Sequence, residues 1–298
     1  MIESRVESHG IEPHGIEPET FAITREPPTS FEALRDATYA GAVHLTEPTP
    51  TSCALVERVQ RLLDDALGPE PRLAQHRMDN DELFARLSPV RRALYCDPSF
   101  HEPLRELVRE RGGDPREVAF DPLRLRVVRS RGDVEVAAAK AVYYPHRDTW
   151  YAHPQTLIAW WIPLDDLAAD ETFVFYPERF AREVPNDSEV FDYDDWVRDG
   201  WELKIGWQRA DAGLTARYPG VIGEVDAGRA VGFSCRRAQQ LTFAGAHFHQ
   251  TLPQASGRTR FSLDFRLVHL GDHAVGKGAP NVDGRSRGSA LRDYVRTP

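Results

Sequence analysis

The stretch that most narrows what this 298-residue chain can become is RTRFSLDFRLV, residues 258 to 268. Thr259, Phe261, Leu263, Phe265 and Leu267 alternate there with Arg258, Arg260, Ser262, Asp264 and Arg266. A period of two is that of a strand. A strand divided in this way has one face in a core and a strongly polar face lining a cavity.

The rest of the chain sorts around that strand. Residues 31 to 112 read mainly as helix. In TSCALVERVQRLLDDALG the apolar positions Leu55, Val56, Val59, Leu62, Leu63, Ala66 and Leu67 form a helical stripe, with Gly68 as the stop. NDELFARLSPVRRALY has Asn80 or Asp81 as cap and Leu83, Leu87 and Leu94 as its buried side, and SFHEPLRELVRERGG gives a third helix ending at a glycine pair.

After Pro115 the segments become short and rich in β-branched and aromatic residues: LRLRVVRS, VEVAAAKAVYY, QTLIAWWIPL and TFVFYP. After residue 220 come GVIGEV, RAVGFSC, QQLTFAGAHFHQ and the strand above. Helices first and many short strands afterwards predict a mainly β domain with flanking helices, an antiparallel sandwich or jelly roll with the helices outside. The expected division is a disordered tail over 1–30 and one domain over 31–298. Within it lie a helical layer (31–115), a β core (120–270) with an acidic, tryptophan-bearing insertion at about 180–220, and a C-terminal extension (271–298). An insertion of that length is either a lid or a solvated excursion, and helix is expected around residues 190–200.

Composition excludes some functions. With 37 Lys and Arg against 46 Asp and Glu the formal net charge is −9, which argues against a dedicated binder of nucleic acid or anionic membrane. The longest apolar run, LIAWWIPL, is too short to span a bilayer, and the polar N-terminus has no signal-peptide core. Its tandem HGIEP is two copies of five residues, not a repeat architecture. Cys53, Cys96 and Cys235 share no metal-like or disulfide-like spacing, and a cytoplasmic protein with inert thiols is expected.

Two polar clusters carry chemistry. The first is His146-Arg147-Asp148, set between aromatic runs where a buried strand begins. It reads either as a polar strand mouth or as half of a metal site, and it is the one His-x-Asp/Glu match among the eleven histidines. The second is FAGAHFHQTLPQASGRTRFSLDFR. His247 and His249 stand two apart on an expected strand, hence on one face. Eleven residues past His249 is Arg260, followed by Ser262; eleven past His247 is Arg258. Two histidines and a carboxylate can hold Fe(II) on one side and leave the other open. An oxo-acid chelating the open side needs a planar cation for its far carboxylate, which guanidinium supplies, and a neighbouring hydroxyl adds a donor.

With HRD at 146–148, HQTLPQAS at 249–256 and RTRFS at 258–262, the chain resembles the Fe(II)- and 2-oxoglutarate-dependent dioxygenases, especially the phytanoyl-CoA hydroxylase-like branch. The resemblance covers roughly residues 120 to 270. It implies a double-stranded β-helix (jelly roll, cupin-like), with His146, Asp148 and His249 as iron ligands and Arg260 with Ser262 holding the 5-carboxylate of 2-oxoglutarate. It implies O2 as the oxidant, succinate and CO2 as products, and hydroxylation of an unactivated C–H bond in a small organic molecule. The presence of Asp148 argues against halogenation. The register could slip to His247 and Arg258, but Thr251, Pro253 and Ser256 follow only His249, and only Arg260 has a serine two residues on.

The remaining candidates are less confined. Thr251 and Gln155 are candidate cosubstrate contacts. Trp150 (closest to Asp148 of the aromatics Trp150, Tyr151, Trp160 and Trp161) is a candidate substrate contact, with plain core packing as the alternative. His247 fits a substrate-contacting position or an ordinary strand residue. Arg147 and Arg266 fit contacts to an anionic substrate group or positions in water. Gly271 to Lys277 nearly spells a phosphate-binding loop, but residue 278 is glycine where Ser or Thr would hold Mg²⁺. The rival of another class is a non-redox metal-binding jelly roll, a binding module or isomerase, which needs no 2-oxoglutarate and tolerates loss of Arg260.

Overall fold

The computed structural model describes residues 23–132, 143–204 and 218–297. The first three helices start where the sequence supplies caps. α1 (Phe31–Tyr39) begins at Ser30, whose hydroxyl accepts from the Ala33 N–H. α2 (Pro50–Leu67) opens with a capping box between Thr49 and Ser52 and with Pro50 in its first turn. It ends at Gly68, whose φ of 78° suits glycine. α3 (Asn80–Cys96) is capped by Asp79, one residue before Asn80 and two before Asp81, the expected caps. α4 (His101–Glu110) follows directly.

The main sheet has seven strands: β1 (Ile23–Thr24), β2 (Val43–Thr46), β3 (Val118–Val128), β4 (Leu157–Pro163), β6 (Gln240–Ala244), β8 (Arg260–His269) and β9 (Val295–Arg296). Their spatial order is β1-β2-β6-β4-β8-β3-β9, antiparallel throughout except for the β1–β2 pair. A second, two-stranded antiparallel sheet joins β5 (Phe173–Phe175) to β7 (His249–Thr251). α5 (Tyr193–Lys204) lies in the acidic insertion and a short α6 (Leu270–Ala274) follows β8.

The two faces of the main sheet do different work. Trp160, Ile162, Phe261, Leu263, Phe265 and Leu267 share one core with α2, α3 and α4. On the opposite face Ala159, Trp161, Leu241 and Phe243 pack with Phe173 and Phe175 of the small sheet and with Phe233. Because strand side chains alternate, residues 260, 262, 264 and 266 of β8 belong to this second, inner face.

One irregularity decides which charges join them. The pairing of β3 with β8 shifts between Asp121 and Arg124, so that Asp121 lies opposite Arg266 and Arg124 opposite Asp264. Two residues of β3, Pro122 and Leu123, thus stand against one of β8, Phe265, a bulge at Pro122, which has no N–H to offer the ladder. The extra residue turns Asp121 onto the inner face beside Arg124 and Arg126.

Several sequence expectations are corrected. Residues 23–24, assigned to the tail, pair with β2, while residues 1–22 lie outside the described residues. Most of VEVAAAKAVYY lies outside them too, as do residues 205–217 of the insertion. GVIGEV and RAVGFSC form no strand; they contribute the isolated bridges Asn186–Val221, Phe175–Val231 and Leu167–Cys235. No helix among the described residues is long and apolar enough to cross a membrane.

Candidate metal centre

The inner face meets the loop that carries the first polar cluster. His146 and His249 exchange backbone hydrogen bonds in both directions, each at 3.0 Å, which sets their rings 4.4 Å apart. The loop then makes one 3₁₀ turn, Asp148–Tyr151, and the Thr149 N–H donates to the Gly245 carbonyl at 3.3 Å. Asp148 is thereby brought to both imidazoles. One ligand atom from each of His146, Asp148 and His249 lies within 4.8 Å of the others, and His146 Nε2 is 4.0 Å from Asp148 Oδ1.

The protonation pattern suits coordination. His146 Nδ1 bonds the Tyr144 carbonyl at 2.9 Å, and His249 Nδ1 bonds the His247 carbonyl at 2.9 Å. A neutral imidazole that donates from Nδ1 keeps its Nε2 lone pair for a metal. Burial, and then the neighbouring His249, push the His146 imidazole down to about 3. Burial likewise lowers His249. Burial alone would raise the Asp148 carboxyl, but the Arg266 guanidinium and the imidazoles hold it well below the usual carboxylate range.

Gly245 is where the loop approaches most closely. A Cβ there would stand 2.4 Å from Leu157 Cδ2 and 3.3 Å from the Asp148 Cβ. Leu157 is fully buried, so its side chain would have to shift within a packed core. Gly245→Ala is therefore expected to destabilise by about 1–3 kcal/mol through overpacking, read as a lowered denaturant midpoint with unchanged slope. A shift under 0.5 kcal/mol would mean that the loop yields freely.

Beyond the triad, Arg260 and Ser262 lie buried on the inner face. Arg260 Nη1 donates to the carbonyls of Thr172 at 2.9 Å and Glu171 at 3.3 Å. No carboxylate among the described residues pairs with it, and burial pushes it down to about 10. Its Nε and the Ser262 hydroxyl are buried with no hydrogen-bond partner among the described residues. Buried polar groups are nearly always bonded, so orphans of this kind mark a place for a ligand. Thr251 follows His249 on the same face of β7, between the triad and Thr172.

Other candidates stand elsewhere. The register alternative fails because His247 lies in the turn after β6 and Arg258 is exposed before β8. His247 packs its ring on Phe180 and Phe175 and bonds the Gly41 carbonyl at 3.0 Å. Arg147 is neither in water nor at the triad. It is buried, pairs with Asp283 at 2.9 Å, and bonds the carbonyls of Ala246, Arg179 and Arg182. Trp150 donates to the same Asp283 at 2.8 Å and packs with Val174, Tyr176 and Phe248, away from the triad. The reason is the 3₁₀ turn. Side chains three apart eclipse in it, so Tyr151 sits over Asp148 while Trp150 points elsewhere, and Tyr151 meets the His146 ring edge-on at 5.6 Å.

Gln155 is also displaced. Its carbonyl accepts from Ala279 N–H at 2.9 Å, at the end of β4 remote from Pro163 and hence from Ser262. Arg266 is buried rather than at the surface, and its two terminal nitrogens reach Asp148 at 3.1 Å and Asp121 at 3.2 Å.

Some lining residues went unnoticed in the sequence. Arg126 makes a two-pronged bond to Asp264, at 2.8 and 2.9 Å, on the inner face. Its side chain is 40% exposed, so this part of the face opens to solvent. The acidic insertion reaches the site through Phe191 and Tyr218, both in ring contact with Tyr151.

Comparison with known proteins gives no family model and no curated relative that matches. Solved structures do align. One, a non-heme monooxygenase, "ThoJ apo", is 13% identical with a TM-score of 0.42, over 79% of this chain and 77% of that chain. EvdO2 from Micromonospora carbonacea var. aurantiaca, complexed with 2-oxoglutarate, is 12% identical with a TM-score of 0.40, over 83% and 94%. SnoN, a non-heme alpha ketoglutarate dependent epimerase from nogalamycin biosynthesis, is 15% identical with a TM-score of 0.37, over 80% and 84%.

Proposed function

We propose that this chain is an Fe(II)- and 2-oxoglutarate-dependent oxygenase built on a double-stranded β-helix, and that it hydroxylates an unactivated C–H bond of a small organic molecule. The observation that carries the reading is a His-Asp-His cluster bordering the same inner face as a buried arginine that no carboxylate among the described residues pairs with. Phe175 faces His249 across the small sheet, and Thr172, whose carbonyl accepts from Arg260, lies three residues earlier. That order along the small sheet would let 2-oxoglutarate chelate at the triad with its other carboxylate on Arg260.

The donor set fits the metal. Two neutral imidazoles and one carboxylate on one side of a site suit Fe(II) and leave positions open for a chelating oxo-acid and O2. Bound there, iron would supply the redox chemistry that couples decarboxylation of 2-oxoglutarate, to succinate and CO2, with oxidation of the substrate.

The chain's own residues do the rest. Arg260 and Ser262 take the distal carboxylate in a charge-assisted grip, with Thr251 beside its path. Phe173, Phe175 and Phe243 ring His249 and exclude water from that side. Tyr151, Tyr218 and the exposed flank of Arg126 border the side where a substrate would enter.

The test is anaerobic. Fe(II) is added to metal-free protein, then 2-oxoglutarate, and the visible charge-transfer band of the chelate is followed. The expected result is a saturable band, and Arg260→Ala should need about tenfold to a hundredfold more 2-oxoglutarate, the worth of a charged hydrogen bond of about 1.5–3 kcal/mol. Iron uptake without a band would move the non-redox metal-binding reading forward. A band equally easy to form in Arg260→Ala would remove the assignment of the arginine.

A further inference from the structure

We propose that Arg266 is the positioning residue of Asp148, bridging it to Asp121 and so fixing the direction in which its carboxylate faces His146 and His249. The proposal rests on the metal-site reading above and concerns a residue to which that reading gives no role.

Arg266 sits on the inner face of β8, buried. Nη2 donates to Asp148 Oδ1 at 3.1 Å and Nη1 to Asp121 Oδ2 at 3.2 Å. Holding two carboxylates from two nitrogens of one rigid plane is a task for guanidinium, and a lysine ammonium cannot reproduce it. Asp121 is itself secured, because Arg124 Nη2 donates to the same Oδ2 at 2.8 Å. The side chains form a row, Arg124–Asp121–Arg266–Asp148, that ends at the triad.

That row exists because of the bulge at Pro122. With regular pairing Asp121 would point toward α3 and α4, and Arg266 would have Asp148 as its partner with nothing behind it. The bulge supplies the second carboxylate, so Arg266 is pulled from two sides and cannot swing. Asp148 needs such a hold. It stands on a single 3₁₀ turn, and within the triad His146 Nε2 is 4.0 Å away. Groups that orient a ligand from behind are worth tenfold to a hundredfold in metal affinity.

The sign of the effect separates positioning from simple charge. A cation beside a metal site repels the metal, so a guanidinium that acted only as counter-charge would weaken binding, and its removal would strengthen it. Positioning predicts the reverse. The probe is Co(II) alone, titrated into the full chain after chelator treatment and followed by its visible absorption, with thermal melts as the folding control. Arg266→Met should bind Co(II) about tenfold to a hundredfold more weakly than the parent. Arg266→Lys, which keeps the charge but reaches one carboxylate at a time, should recover part of the loss at most.

Equal or tighter binding by Arg266→Met overturns the proposal, as does full recovery in Arg266→Lys. If Arg266→Met does not fold, Asp121→Asn carries the test. It leaves Arg266 on Asp148 and weakens its anchor, so the proposal requires a loss of at least about threefold, and unchanged binding overturns it. A parent protein that takes up no Co(II) defeats the metal-site reading itself, an outcome distinct from a parent that binds and variants that match it.

Discussion

Asp148→Ala is expected to take up Fe(II) more than about 100-fold less tightly than the parent, and to give no chelate band with 2-oxoglutarate at any accessible concentration. The loss should exceed the tenfold to hundredfold of an orienting group, because Asp148 is the one anion among the three candidate ligands. Two neutral imidazoles would remain, and Arg266, now without the carboxylate it touches at 3.1 Å, would stand close to the ion and repel it. The fold should survive, since Arg266 keeps Asp121. Anaerobic titration alongside circular dichroism checks both halves. Parent-like iron affinity in a folded Asp148→Ala protein would return His146-x-Asp148 to the status of a polar strand mouth.

The second large effect lies in a part of the chain that looks incidental. Asp283→Ala should destabilise the protein by about 3–5 kcal/mol, the usual result of leaving a buried charge alone. Asp283 accepts from Arg147 Nε at 2.9 Å, from Trp150 Nε1 at 2.8 Å and from the Val184 N–H at 3.0 Å. All three donors are buried. Removing the carboxylate strands a guanidinium that is only 1% exposed. The double variant Arg147→Met/Asp283→Ala should recover much of the loss, because removing both partners of a buried pair is far less damaging than removing one. Denaturant midpoints of the single and double variants decide it. A change below 1 kcal/mol in Asp283→Ala, or a double variant worse than the single, would show that this clasp is not what holds the loop.

Much of this architecture could be read from residues alone, and the reasons are local. β8 declares itself by strict alternation, and the two sides of that alternation are the two sides of the sheet. The helical stripe of α2 and its glycine stop are equally local. His146, Asp148 and His249 could be singled out because HRD, HQTLPQAS and RTRFS together resemble the metal-site segments of a known family, and the structure does set the three within reach of one another.

What escaped the sequence depended on backbone that departs from a regular period. Extended spacing makes Trp150 the natural companion of Asp148, but one 3₁₀ turn exchanges it for Tyr151. His247 shares a strand face with His249 only if the strand reaches it, and a turn intervenes. The roles of Arg266 and Arg147 depend on partners more than 100 residues away, Asp148 at a separation of 118 and Asp283 at 136. One signal was available. Pro122 inside an otherwise good strand marks an edge or a bulge, and a bulge there changes the face of every residue before it.

The clasp at Asp283 also imposes an order in time. His146, Arg147 and Asp148 are synthesised together, yet the carboxylate that immobilises Arg147 is made 136 residues later. Chains fold from the N-terminus as they are made, at about 5–20 residues per second. The loop bearing two of the three candidate ligands therefore waits about 7 to 27 seconds for its last fastening. A nascent chain holds His146 and Asp148 on an unclasped loop throughout that interval, and its candidate metal centre takes final shape only after Asp283 has been added.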